Sequence, residues 1–219
     1  MLRAIFYKFF KPILDTISAR LNKHGINPAH LTLGGLIINA LGCLLYAYGR
    51  FLTGSLIILI AGLFDMLDGA LARSSGKATK FGAFMDSVVD RYSDFLIFGG
   101  LLIYFSRVGD SSAVALVLVV IAGALLTSYA KARAESLIPH CNVGWIERPE
   151  RIIIICLGGI FQFLFPALWI LAFTTHLTAL QRIYYTWRET EGKEFLKSNQ
   201  SQSSESKPPE NFRRPKEIR

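Results

Sequence analysis

Six apolar stretches, each close to the length of a membrane-crossing helix, run at about residues 31–49, 53–73, 83–105, 112–135, 150–166 and 167–187. Crossing about 30 Å of hydrocarbon takes roughly 20 mostly apolar helical residues. The chain has 219 residues, 52% of them hydrophobic, and a mean hydropathy of +0.37. That is more apolar surface than a soluble domain of this size buries, so a bilayer is its natural solvent. The expected fold is all-α integral membrane, with six transmembrane helices. The fifth stretch is the shortest. Pro149 suits the first turn of the fifth helix and Pro166 the start of the sixth, because proline is tolerated there and not in a helix interior.

Ahead of these spans, Leu2, Ile5, Phe6, Phe9, Phe10, Ile13, Leu14, Ile17 and Leu21 recur at helical steps, with Arg3, Lys8, Lys11, Asp15, Ser18 and Arg20 opposite. The pattern predicts an N-terminal interfacial amphipathic helix over 1–24, begun or kinked at Pro12. The alternative, a signal peptide, would need an apolar run without these charges and a small-residue cleavage site. From Glu189 the chain is polar and aperiodic, so 189–219 is expected to be a disordered cytoplasmic tail, leaving 25–188 as one membrane domain. The net charge of +8 collects at the chain ends and in the connections holding Arg73, Lys77 and Lys80 or Lys131, Arg133, Arg148 and Arg151. The other connections carry Arg50, and Arg107 beside Asp110. This asymmetry predicts a multi-pass inner-membrane protein with both termini on the cytoplasmic side. Cys43, Cys141 and Cys156 lie too far apart for a metal or disulfide pattern, and are read as packing residues. His24, His30, His140 and His176 are likewise read as structural. Nucleic-acid and phosphate-loop signatures do not occur, so no nucleic-acid partner is expected.

Acidic groups are costly in a bilayer, yet Asp65, Asp68, Asp86, Asp90 and Asp94 all fall in the second and third spans. Asp65 and Asp68 lie about 60° apart around one helix, and Asp86 and Asp90 about 40° apart around the next. Two carboxylate pairs can therefore face each other. Such a group stays charged only if cations sit between its members, and oxygen ligands without His or Cys favour Mg²⁺ or Mn²⁺. Interhelical hydrogen bonding or a proton path is the alternative. Gly69 and Ala72 lie on the Asp65 face, and Gly82 sits one turn before Asp86, leaving room for a ligand or for helix packing.

Together, Asp65-x2-Asp68-Gly69-x2-Ala72-Arg73-x8-Gly82-x3-Asp86-x3-Asp90 resembles, without departure, the signature of the CDP-alcohol phosphatidyltransferase family. Further stretches look like the phosphatidylinositol-phosphate synthase branch: Ile26-Asn27-Pro28 before Thr32, Tyr129 to Glu135, Glu147-Arg148-Pro149-Glu150-Arg151, and Gln181-Arg182. The resemblance covers about residues 1–188. It implies six transmembrane helices, a juxtamembrane amino-terminal helix and a homodimer. It also implies that Asp65, Asp68, Asp86 and Asp90 hold two Mg²⁺ (or Mn²⁺) ions, with Asp90 as general base. The CDP-lipid would lie against Gly69, Arg73 and Thr79, with Ala29 and Thr32 closing one side. Relatives commonly carry Asn or Asp near Ala29, which limits that turn to backbone contacts. Arg73 and Thr79 have an alternative reading as interfacial anchor and helix cap. Asp94 lies outside the signature, as a supporting or packing residue.

The implied reaction moves a phosphatidyl group from CDP-diacylglycerol to an alcohol and releases CMP, with membrane lipids as surroundings. Lys131, Arg133, Arg148, Arg151 and Arg182 can converge on one anion, which suits an acceptor carrying phosphate. In the resembling branch, positions matching Lys131, Arg133, Arg151 and Arg182 are associated with the phosphate of inositol phosphate. Their alternative reading is charge flanking the membrane. Two other functions stay open at this level. One is the same chemistry on glycerol 3-phosphate or another polar alcohol; the other is a divalent-cation transporter lined by the aspartates.

Overall fold

The structure is a computed structural model that describes residues 2–76 and 78–192, with the side chains of 2–11 and 13 outside the description. Among the described residues, seven α-helices follow in order: α1 (Leu2–Lys23), α2 (Pro28–Ala47), α3 (Phe51–Ser74), α4 (Lys80–Val108), α5 (Ser111–Ala134), α6 (Arg148–Ile160) and α7 (Leu164–Trp187). A π-helical turn, Arg188–Gly192, extends α7. Lys77 and the tail from 193 onward lie outside the described residues, as do the side chains of the basic residues of α1 before Pro12.

Helix starts are set by local chemistry. Asn27 caps α2 by accepting from the Ala29 amide, with Pro28 as first residue. Thr79 caps α4 by accepting from Gly82 N at 2.9 Å, and Asp110 caps α5 by accepting from Ala113 N at 2.9 Å. The Ser112 hydroxyl and the Ala113 amide hold the Asp110 carboxyl below its ordinary range. Pro149 sits in the first turn of α6, as expected.

Two boundaries differ from expectation. α6 stops at Ile160, and Phe161–Phe163 turn the chain with Gln162 at φ 63. α7 therefore begins at Leu164, with Pro166 in its first turn. Pro12 lies inside α1 rather than at its start. Ser18, expected on the polar face of α1, is buried and donates to Asp15 O, because α1 packs on α3. Asp15 and Arg20 are exposed, as the amphipathic pattern predicts.

The bundle is organised around α2, which packs against both α3 and α4, while α5 packs on α7 and α3 on α6. Its core contains Tyr46, Ile58, Phe98, Leu101, Val117, Ile155 and Leu171. The backbones of α2 and α4 approach so closely that a Cβ on Gly100 would meet the Cys43 carbonyl. Thr127 Oγ1 of α5 donates to the Thr175 carbonyl of α7 at 2.9 Å. The outer faces are apolar: Leu33, Ile37, Leu41 and Leu44 on α2, and Leu52, Leu56, Ile60 and Leu63 on α3, are all exposed. Among the described residues, four helices, α2, α3, α5 and α7 with its π turn, are long and apolar enough to cross a membrane. α4 has 29 residues but carries Asp86, Asp90, Arg91 and Asp94, and α6 has only 13 residues. Cys43, Cys141 and Cys156 are free thiols.

Candidate active site

Between α3 and α4, one carboxylate oxygen from each of Asp65, Asp68 and Asp86 lies within 4.8 Å of the others. Asp68 is the most enclosed, at 5% exposure. Thr32 Oγ1, one turn into α2, donates to Asp68 Oδ2 at 2.6 Å, so α2 fixes the orientation of this carboxylate. A set of three oxygen ligands drawn from two helices, with no His or Cys among them, fits a hard divalent cation.

Asp90 stands beside this trio and is engaged by Arg148, whose Nη1 lies 2.7 Å from Asp90 Oδ1. The same Nη1 donates to Asp65 Oδ2 at 3.0 Å, while Nε donates to Asp94 Oδ1 at 3.3 Å. Arg148 thus leaves the basic cluster expected to meet one anion and joins the carboxylates instead. Arg151, one turn further along α6, donates from Nη2 to Asp94 Oδ2 at 2.6 Å. Asp94 and Arg151 are 5% and 2% exposed, so this is an ion pair sealed inside the bundle.

On the donor side, Arg73 folds back along α3 so that its guanidinium would touch a Cβ added at Gly69. The two residues form one patch on the last turns of α3. Thr79 serves as the cap of α4, and the Ala29 amide donates to Asn27 Oδ1 at 3.2 Å. Of the four cations expected at the acceptor, two meet at one acid: Lys131 Nζ is 3.3 Å and Arg182 Nη2 4.0 Å from Glu147 Oε1. Arg182 also donates from Nε to Val143 O at 3.0 Å and from Nη1 to Thr127 O at 2.7 Å, which ties the connection before α6 to α5 and α7. Arg133 is exposed and turns away to Ser136 Oγ at 3.1 Å. His176 Nδ1 bonds the Ala172 carbonyl at 2.9 Å, a structural role.

The model of the family described as CDP-alcohol phosphatidyltransferase matches residues 26–181, which contain all of these groups except Arg182. The chain belongs to the CDP-alcohol phosphatidyltransferase family. It is 38% identical, over 189 residues covering 81% of each chain, to the phosphatidylinositol phosphate synthase of Mycobacterium marinum. Its structure resembles the crystal structure of the Mycobacterium tuberculosis phosphatidylinositol phosphate synthase with CDP-DAG bound. That likeness has a TM-score of 0.75 at 34% identity, over 80% of this chain and 94% of that one. It also resembles the same synthase in complex with manganese and citrate, with a TM-score of 0.73 at 35% identity over 80% and 88% of the two chains.

Set against the family signature, Arg148 and Glu147 are the residues that the sequence placed least well. A signal for them was available: Arg148-x2-Arg151 opens α6 with two cations one turn apart, and Asp90-x3-Asp94 offers two anions one turn apart on α4. The spacings match, but pairing them required knowing that α6 begins beside the middle of α4.

Proposed function

We propose that this chain transfers a phosphatidyl group from CDP-diacylglycerol to inositol phosphate, yielding phosphatidylinositol phosphate and CMP. The observation that carries the proposal is the Asp65, Asp68 and Asp86 trio beside Asp90, built by the family signature and laid out next to the basic start of α6. The names and bound groups of the relatives support the choice of donor and acceptor.

Asp65, Asp68, Asp86 and Asp90 would hold two Mg²⁺ ions, with Mn²⁺ a competent substitute. When bound, the ions supply positive charge to the pyrophosphate of the donor and to the departing CMP. The remaining work belongs to the protein. Gly69 gives the backbone room for the donor, Arg73 faces its phosphates, and Thr79, Ala29 and Thr32 close the adjoining side. Lys131 and Arg182, which meet at Glu147, take the acceptor phosphate, with Arg133 and Arg151 joining them by leaving Ser136 and Asp94, and a carboxylate oxygen of Asp90 removes the proton from the attacking hydroxyl. Arg182 reaches that pocket by its Nη2 edge, because Nε and Nη1 are taken by carbonyls.

The proposed setting is the inner membrane, crossed six times by α2 to α7, with both termini and the active site cytoplasmic. Residues 1–24 lie along the interface, 25–188 form the membrane domain and 189–219 the tail, and two chains associate as a homodimer. The test is release of labelled CMP from CDP-diacylglycerol by the purified chain, offered inositol phosphate, inositol, glycerol 3-phosphate and serine in turn. Inositol phosphate is expected to support turnover that a chelator abolishes and Mg²⁺ restores. Turnover with glycerol 3-phosphate alone would transfer the acceptor assignment. Metal flux into liposomes without CMP release would replace the transferase reading with transport.

A further inference from the structure

We propose that Asp94 is a positioning residue for the metal carboxylates. It holds Arg148 by one oxygen and Arg151 by the other, and so draws part of the Arg148 charge away from Asp65 and Asp90, which the same guanidinium also touches. The inference rests on the proposed function in taking these carboxylates as metal ligands.

The geometry is specific. Asp94 follows Asp90 by one turn of α4, so its carboxylate lies on the same face and deeper along the helix. Its Oδ2 is taken by Arg151 Nη2 at 2.6 Å and its Oδ1 by Arg148 Nε at 3.3 Å. Arg148 is therefore stretched between two anchors: Asp94 on the Nε side, and Asp65 and Asp90 on the Nη1 side at 3.0 and 2.7 Å. Guanidinium is the one side chain whose rigid fork can serve anions on separate nitrogens at once. A cation at Asp65 and Asp90 competes with a divalent ion for the same oxygens, and each anion that draws it elsewhere favours the ion. Asp94 supplies that pull from a buried position, where charges are least screened. Outer partners of metal ligands act in this way, through orientation and charge rather than contact with the ion.

The experiment measures Mn²⁺ affinity by electron paramagnetic resonance on the full chain, purified in detergent and stripped with chelator. Asp94→Asn is expected to weaken Mn²⁺ binding about tenfold, the lower end of what losing such a partner costs. Asp94→Glu should restore most of it. In an Arg148→Gln background the Asp94→Asn change should have little further effect, since the cation it restrains is gone. Should Asp94→Asn not fold, Arg148→Lys provides the second reading. One ammonium cannot hold Asp94 and the Asp65–Asp90 pair on separate nitrogens, so it too should weaken Mn²⁺ binding. Unchanged affinity in the folded Asp94→Asn or Arg148→Lys chain, or an equal loss with and without Arg148, overturns the proposal. These affinities do not depend on the acceptor. A wild-type chain that binds Mn²⁺ but ignores inositol phosphate would sink the proposed reaction and leave this inference standing.

Discussion

Asp90 and Asp68 sit one helix apart, yet their surroundings ask different things of them. Asp68 is enclosed and oriented by Thr32, whereas Asp90 faces the Arg148 guanidinium. The guanidinium fixes the Asp90 carboxylate beside the trio, the place that a base for the acceptor hydroxyl would occupy. Asp90→Asn keeps the shape and removes both charge and basicity. It is expected to abolish CMP release while CDP-lipid binding, followed by a fluorescent analogue, remains measurable; near-normal turnover would take the base role from Asp90. Thr32→Val tests the other carboxylate. Losing this 2.6 Å bond inside a membrane bundle is expected to cost about 1 kcal/mol. In chelator-treated protein that should appear as a lower unfolding temperature, with Thr32→Ser close to wild type. Equal unfolding temperatures for Val and Ser would mean that the hydroxyl contributes nothing. At this scale the sequence exposed the aspartates because acids in apolar helices are conspicuous, and hid Arg148 because a cation at a helix start has many ordinary explanations.

The helices hold these residues in place by close backbone approach, and adjacent glycines of α4 provide an internal control. A Cβ at Gly100 would meet the Cys43 carbonyl of α2, whereas one at Gly99 meets nothing within 4 Å. Gly100→Ala must push α4 from α2, at a cost of about 1–3 kcal/mol for overpacking. The displacement shifts Asp86, Asp90 and Asp94 relative to Thr32, so turnover should fall with stability. Gly99→Ala should leave both unchanged, since it adds a methyl group to open space. Thermal unfolding and CMP release on the two variants decide the point, and equal behaviour would refute it. Helix existence and most ends were legible from apolar length, from Pro149 and from Thr79 as a helix cap, whereas the caps Asn27 and Asp110 emerged only in the structure. The end of α6 was not. Gln162 takes a left-handed backbone that usually falls to Gly or Asn, so the sequence carries no turn signal there. Ser18 misled for a related reason: a small hydroxyl bonded to its own helix can face the bundle without penalty.

The whole molecule has two unlike ends. At one, Arg107 from the end of α4 stacks over Tyr48 from the turn after α2, at 5.4 Å from the ring centroid. At the other lie the aspartates and the Lys131–Glu147 pair, next to the start of α6. Basic residues concentrate at this second end, which should therefore face the cytoplasm. Whether the chain crosses six times turns on α4, which carries the aspartates, and on α6, whose 13 residues span about 20 Å at 1.5 Å each, against a hydrocarbon core of about 30 Å. Such a short helix crosses only if the bilayer thins locally or if its outer turn, Phe161–Phe163, sits below the far interface. All three residues of that turn are exposed, and two are Phe, as suits a turn immersed in apolar surroundings. The test uses a chain with its three cysteines replaced and new ones introduced singly at Ser111, His140 and Phe161. A membrane-impermeant maleimide added to intact cells should label Ser111→Cys and leave His140→Cys unlabelled until the membrane is opened. Phe161→Cys should react from outside, slowly, because of its depth. If it reacts only from the cytoplasmic side, α6 folds back without crossing, and α7 would then have to enter the membrane from the cytoplasmic face, where α5 leaves it.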